Sequence, residues 1–145
     1  KRESSTACLV DKMSTFIFLL LLGIHSTAAV THSLKYFYTA SSEIQNFPDF
    51  VVVGLVDDVQ ILKYDSITRK TKPTQDWMRE NFDQQYWDSE TVADSRSQYA
   101  YKVNIEIAKQ RFNQTGGVHI YQNMYGCEWD DETEEVTGYR QYGYD

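Results

Sequence analysis

Apolar and polar positions alternate with a period near two along the first part of the chain. Leu34-Lys35-Tyr36-Phe37-Tyr38-Thr39 is aromatic and β-prone. Phe50 to Val56 reads as a second strand and Val59 to Asp65 as a third. Asp57-Asp58 between those two is a hairpin signal, of the same kind as Asp-Gly though weaker. Residues 69–76, with Pro73, read as irregular with at most a short edge strand.

The period then changes. No proline or glycine interrupts the 24 residues from Asp88 to Arg111. Val92, Tyr99, Val103 and Ile107 recur there mainly at four- and seven-residue spacing, with Arg96 as the polar break. That spacing predicts one helix face, expected to pack onto a sheet. At 1.5 Å per residue the helix would be about 36 Å long. Asn113-Gln114-Thr115-Gly116-Gly117 ends it, with the glycine pair as stop and linker.

Alternation resumes from Val118 to Trp129. Tyr121, Asn123, Tyr125 and Cys127 fall on one face, and Ile120, Gln122 and Met124 on the other. Residues 130–135 form an acidic loop, read as a solvated turn. Val136 to Tyr144 is a last strand. Strands, a long helix, Gly-Gly and strands again predict an α+β fold. Its floor is an antiparallel sheet with a long helix on one face, and the second half restarts the programme of the first.

The first segment follows a different rule. Phe16 to Ile24 is a nine-residue apolar run followed by Ser26-Thr27-Ala28-Ala29. That is too short to span a membrane and ends in an A-x-A-like site, so it reads as a secretory signal peptide starting at Met13. Residues 1–12 lie ahead of it, as translated upstream sequence or a wrongly chosen start. Cleavage after Ala29 leaves 116 residues with 11 basic and 19 acidic side chains, net −8. The whole chain has no visible basic stripe and a net charge of −7, which argues against nucleic acid as a partner. With 41% hydrophobic and 14% aromatic residues it is too apolar for disorder.

Candidate chemistry is sparse. His25 is in the leader, and His32 and His119 carry no nucleophile, zinc or phosphate-loop pattern with them. No enzyme activity, metal or cofactor is expected. An exported hydrolase using His32 or His119 is a remote rival reading. Cys127 would be the single cysteine of the mature chain: bridging between chains, free, or paired with a residue beyond Asp145. The open final strand favours the last, which makes the chain an N-terminal fragment. Asn113-Gln114-Thr115 is the one N-x-[ST] sequon and predicts a glycan on an exposed loop. Eleven tyrosines, several paired on single strand faces, fit either core packing or a cleft in which hydroxyls meet a ligand.

Several segments in order then resemble a known family. They are His32 to Phe37, Val53 to Gln60, Tyr64-Asp65-Ser66, Tyr86 to Thr91, Asn113-Gln114-Thr115, Met124 to Cys127 and Gly138 to Asp145. Together they closely resemble the major histocompatibility complex (MHC) class I alpha chain, across essentially all of residues 31–145. The resemblance implies a signal peptide at 13–29, an alpha-1 domain at 30–115 and an incomplete alpha-2 domain at 116–145. It implies an antigen-recognition platform, an eight-stranded floor with two helices as walls, here with the alpha-2 half truncated. The Cys127 partner would then be a cysteine of the alpha-2 helix.

Carried over by position, the resemblance implies that Tyr36 and Tyr86 hydrogen-bond a peptide N-terminus and that Tyr125 lies near the second peptide residue. Tyr38, Val52, Leu62, Tyr121, Asn123, Arg140 and Tyr142 would shape pockets in the floor. Glu90, Ala93, Ser97, Ala100, Asn104 and Ile107 would form the groove side of the helix, a stripe at spacings of three and four. Asn104 would bond the peptide backbone near its C-terminal end. Arg111 stands where mammalian peptide-presenting chains have a tyrosine, and arginine there resembles chains of fishes and other non-mammalian vertebrates. A guanidinium suits a terminal carboxylate, or is simply a favourable cation at a helix C-terminus. Asn113 matches the family's glycosylation site.

The function so implied is antigen presentation in the immune response: binding short peptides and displaying them to T cells. The alternative is a class I-like receptor ligand or carrier without peptide. Implied partners are beta-2-microglobulin, the T-cell receptor and the peptide-loading machinery. The implied route is the secretory pathway to the plasma membrane, with the full-length chain a single-pass membrane glycoprotein.

Overall fold

The computed structural model describes residues 30–42 and 44–145, so the upstream segment and signal peptide expected at residues 1–29 lie outside the described residues. The elements are β1 (Thr31–Ser41), β2 (Phe50–Val56), β3 (Val59–Asp65), β4 (Lys70–Pro73), a short helix (Asp76–Asn81), a long helix (Gln84–Arg111), β5 (Ile120–Asp130) and β6 (Val136–Tyr144). The strands form one antiparallel sheet in the order β4-β3-β2-β1-β5-β6. The strand after the long helix thus returns beside β1, and the second half extends the floor of the first. No helix among the described residues is long and apolar enough to cross a membrane.

The β2–β3 hairpin closes as its sequence predicts. Asp57 and Asp58 have φ of 49° and 63°, the two positive values a two-residue hairpin turn of this twist requires. The Asp57 carboxylate also accepts the Ser33 N–H at 2.7 Å and bonds His32 Nδ1 at 2.8 Å, tying the turn to the first strand. That ionic partner raises the His32 pKa from its ordinary value.

The long helix starts at Gln84, four residues before the predicted Asp88. Its start is set by Asp83, whose carboxylate caps the Tyr86 N–H at 2.9 Å. Its end is set by Asn113 rather than by the glycine pair. Asn113 takes φ 56°, its N–H bonds the Gln110 carbonyl, and the Gln114 N–H bonds the Lys109 carbonyl at 2.8 Å. Those two bonds make a Schellman cap, for which a left-handed residue is needed and asparagine serves.

One expectation is overturned. Val92, Tyr99, Val103 and Ile107 do not pack onto the sheet; all four are exposed, Tyr99 to 73%. The buried row is Trp87, Asp94, Tyr101, Ile105 and Ala108, shifted two residues from the predicted one. Both rows have the same period. The buried one holds an aspartate and a tyrosine because it rests on a polar, tyrosine-rich floor rather than on an aliphatic core. That substitution makes the exposed row look like the more hydrophobic of the two.

Two clusters pin the helix down. Towards its C-terminal half, Tyr101 and Ile105 close over Ala40, Phe50, Val52 and Tyr64. Towards its start, Trp87 joins Ile61, Leu62 and Met78. The rings of Phe50 and Tyr101 lie 5.3 Å apart, and the buried Tyr64 donates its hydroxyl to Gln98 at 2.7 Å. The helix covers β1 to β4, while much of the same face of β5 and β6 stays open, leaving Tyr142 exposed.

Candidate functional site

Register builds the site. Tyr36 lies opposite Gly54 on one side and Tyr125 on the other; Tyr38 lies opposite Val52 and Asn123. Asn123 in turn lies opposite Tyr142, and Tyr125 opposite Arg140. Directly paired residues point to the same face, so the register delivers a lateral row of tyrosines, Asn123 and Arg140 to the face bearing the helix. Gly54 makes room for this row: a Cβ there would come within 3.0 Å of both the Tyr36 ring and Leu62.

The rings form a continuous bed. Tyr36 stacks on Tyr125 at 5.4 Å, Tyr38 stacks on Tyr125 at 5.6 Å and on Tyr101 at 5.5 Å, and Tyr101 meets Tyr121 edge-on. The hydroxyls of Tyr38 and Tyr125 are 3.2 Å apart. Burial pushes the Tyr36 and Tyr101 hydroxyls up to about 12, and burial together with the Tyr125 bond pushes Tyr38 up as well. All three therefore remain neutral donors at physiological pH. Arg140 lies over this bed, with its guanidinium 5.6 Å from the Tyr125 ring centre and 5.0 Å from that of Tyr142. Its Nε donates to Asn123 Oδ1 at 3.2 Å.

Between bed and helix runs an open cleft of about 670 Å³, with Tyr38, Ser97, Tyr101, Tyr125 and Arg140 among its walls. At one end Tyr86 packs on Phe82 and Trp87, and its hydroxyl is raised by burial and by nearby Glu90, which also acts on Tyr36. Of the predicted helical stripe, Ser97 lines the cleft, Asn104 is half-buried, and Ala93, Ala100 and Ile107 are exposed, Ala93 in a separate surface hollow with Val92 and Arg96. Arg111 is exposed in the last turn, where a cation also complements the helix dipole. Val52 and Leu62 lie on the same face beside the bed but are enclosed under the helix in the two core clusters, 0% and 1% exposed, so they are packed core and do not line the open cleft. Tyr121 and Tyr142 continue the bed towards the helix end.

Three further residues belong to this region. Tyr101 is a wall of the cleft. Asp94, only 5% exposed, accepts the Thr71 hydroxyl at 2.6 Å, so helix and β4 are joined by a buried polar pair. Burial pushes the Asp94 carboxyl up to about 6, opposed by the Thr71 bond and reinforced by Glu90. The seven-residue spacing of Trp87, Asp94, Tyr101 and Ala108 is the signal that could have found them.

The remaining candidates sit apart from the cleft. His32 and His119 occupy opposite ends of the sheet: His32 pairs with Trp129, whereas Ser41 next to Ile120 marks the other end. Nine strand residues separate those ends, about 30 Å. His119 is buried and bonded to backbone carbonyls of Gly116 and Asp145, a tie for the loop entering β5. Cys127 is half-buried on the cleft face of β5 and has no disulfide partner among the described residues. Asn113 is exposed just past the helix end. No group of three or more metal-ligating side chains occurs among the described residues.

A sheet floor, one long helical wall and a tyrosine-lined channel between them form an open groove. Residues 30–145 match the family model described as class I histocompatibility antigen, domains alpha 1 and 2. The chain is 37% identical over 141 residues to the H-2 class I histocompatibility antigen, K-K alpha chain, of Mus musculus, covering 92% of this chain and 38% of that one. It is 38% identical over 129 residues to the class I histocompatibility antigen, F10 alpha chain, of Gallus gallus, covering 88% and 37%. It is 36% identical over 136 residues to the RLA class I histocompatibility antigen, alpha chain 11/11, of Oryctolagus cuniculus, covering 89% and 37%. The chain belongs to the class I histocompatibility antigen family, and it spans under two fifths of the length of these relatives.

Proposed function

We propose that this chain binds short peptides between its long helix and a second wall supplied by the rest of the alpha-2 domain, and presents them at the cell surface to T cells. The observation that carries the reading is the tyrosine bed. Hydroxyls of Tyr36, Tyr86 and Tyr125 gather at one end of the channel, with Tyr38 next along the bed and Arg111 at the far end of the helix. Such ends suit the amino terminus and the carboxylate of any peptide, while Asn104 bonds its backbone and the floor sorts side chains. Tyr86 and Arg111 lie 25 helical residues apart, about 38 Å. That is the reach of roughly eleven extended residues, fewer once both side chains lean inward.

In this reading residues 30–115 are the alpha-1 domain and 116–145 the opening of alpha-2. Cys127 takes its partner from the alpha-2 helix, Asn113 carries a glycan, and residues 13–29 direct export. The opposite sheet face presents exposed Phe37 beside half-buried Val51, Val53, Leu55 and Met124, an apolar surface suited to beta-2-microglobulin. The T-cell receptor would read the top of the helix and peptide, and peptide-loading machinery would act before surface display.

The test uses the full-length heavy chain co-expressed with beta-2-microglobulin, followed by acid elution and mass spectrometry. Peptides of a narrow length range are expected. An assembled complex yielding no peptide would favour a class I-like receptor ligand or carrier instead.

A further inference from the structure

Outside the groove, at the β4 edge of the sheet, this acidic chain of net charge −7 has a hollow of about 490 Å³ with a cationic lining. Lys70 and Lys72 come from the edge strand, Arg79 from the short helix, and Phe82 and Trp87 from the junction with the long helix. No carboxylate is among the lining residues. Among the described residues no carboxylate lies within ion-pair distance of Lys70 or Lys72. Asp65 stands opposite Lys70 in the register, but its carboxylate accepts the Ile67 and Thr68 N–H groups and the Thr68 hydroxyl. Lys72 stands opposite Lys63, a like-charge pair that costs stability until an anion screens it. Arg79 is paired with Asp76 on its own helix, and both are exposed, so the pair is worth little in water.

Lysines on an edge strand ordinarily guard it against a foreign strand. Here the edge is already closed. The outward Thr71 N–H donates to Thr91 Oγ1 at 3.0 Å, and Pro73, two residues on, has no N–H to offer. The lysines are thus surplus to edge protection, and Arg79 is not on the strand at all. Phe82 adds an aromatic surface, 36% exposed while its ring packs against Tyr86.

We propose that this hollow binds a sulfated glycan chain, with Lys70, Lys72 and Arg79 on its sulfate groups and Phe82 against the apolar face of a sugar ring. A sulfate ester offers only acceptor oxygens, which match ammonium and guanidinium donors. An acidic peptide would use the cations and leave the aromatic face idle, and a flat membrane surface does not enter a recess. The site lies apart from the tyrosine bed and does not depend on peptide binding.

The experiment uses the full-length ectodomain assembled with beta-2-microglobulin. Titration calorimetry compares a heparin-derived hexasaccharide, its desulfated form, a polyglutamate peptide and phosphatidylserine vesicles. The sulfated hexasaccharide should bind tightest and weaken as salt rises, because exposed charges are screened. Lys70→Glu combined with Lys72→Glu should weaken it at least about tenfold, since two exposed ion pairs worth up to about fivefold each are lost. Lys102→Glu, at an exposed lysine of the long helix, should change it by less than about twofold. If the double reversal impairs assembly, Lys70→Gln with Lys72→Gln removes the same pairs without adding charge. Peptide yield should be the same in all variants. No binding of the sulfated sugar, binding unchanged in the lysine variants, or an equal fall in Lys102→Glu overturns the site. Equal binding of the desulfated form, or tighter binding of polyglutamate or vesicles, overturns the sulfated glycan as its ligand.

Discussion

Two isoleucines two residues apart make opposite demands on the long helix. Ile105 is 3% exposed and sits in the cluster with Phe50, Val52, Tyr64 and Tyr101, whereas Ile107 is 49% exposed. Truncating a buried isoleucine removes its transfer free energy and leaves a cavity, together about 2–5 kcal/mol. A helix resting on a sheet collapses little, so about 3 kcal/mol is the reasonable centre for Ile105→Ala. At 2–4 °C per kcal/mol for a protein of this size class, that is a fall of about 6–12 °C in Tm. Ile107→Ala should stay within about 0.5 kcal/mol, because alanine's better helix propensity offsets the little packing an exposed isoleucine makes. The assay is thermal unfolding of the full-length ectodomain with beta-2-microglobulin and one saturating peptide at fixed concentrations, since bound partners shift Tm by mass action. Equal destabilisation by the two variants, or a silent Ile105→Ala, would refute the observed facing of the helix.

Further predictions concern single sites. A Cβ on Gly126 would fall inside contact distance of the Leu34 carbonyl oxygen, so Gly126→Ala should cost about 1–3 kcal/mol by overpacking, while Gly138→Ala, with nothing nearer than 3.9 Å, should be nearly silent in the same melt. The Asp94 carboxyl, raised by burial to about 6 from an ordinary 3.8, is favoured in its neutral form by the fold. Its ionisation therefore weakens the folded state above that value, and stability should rise as pH falls from 7 through 6 and level off below 3.8. Asp94→Asn should flatten that part of a Tm-against-pH curve, and an unchanged slope would count against the assignment. Asn113→Gln should raise the electrophoretic mobility of the secreted chain by one glycan, an effect enzymatic deglycosylation abolishes in the parent. Residues 30–145 expressed alone should show no cooperative unfolding transition, because the β6 edge and the uncovered tyrosine bed lack their partners.

Much of the architecture was legible along the chain. Period-two runs marked β1, β2, β3, β5 and β6, and the Asp57-Asp58 pair marked a hairpin whose positive φ values the structure bears out. The length of the helix was legible because proline and glycine are missing from it. The bed was half legible: alternation placed Tyr121, Asn123 and Tyr125 on one face, while pairing with Tyr36 and Arg140 depends on cross-strand register, which no local pattern contains. Tyr101 and Asp94 were hidden because sequence reading equates burial with hydrophobicity. Thr71 makes burial of the aspartate tolerable from another strand, 23 residues away.

The short helix Asp76–Asn81 was not legible in the sequence, which by itself determined the five longer strands and the long helix, where the hairpin turns, and the family whose motifs the chain carries. These depend on backbone preferences and residue spacing, which act over a few neighbouring residues. Only the tertiary structure decided which of two equally periodic rows of the helix faces the sheet, and that Asn123, Arg140 and Tyr101 meet. Those outcomes turn on which polar groups find partners when strands far apart in the chain are brought side by side, and a hydrogen bond has no counterpart in the periodicity of one segment.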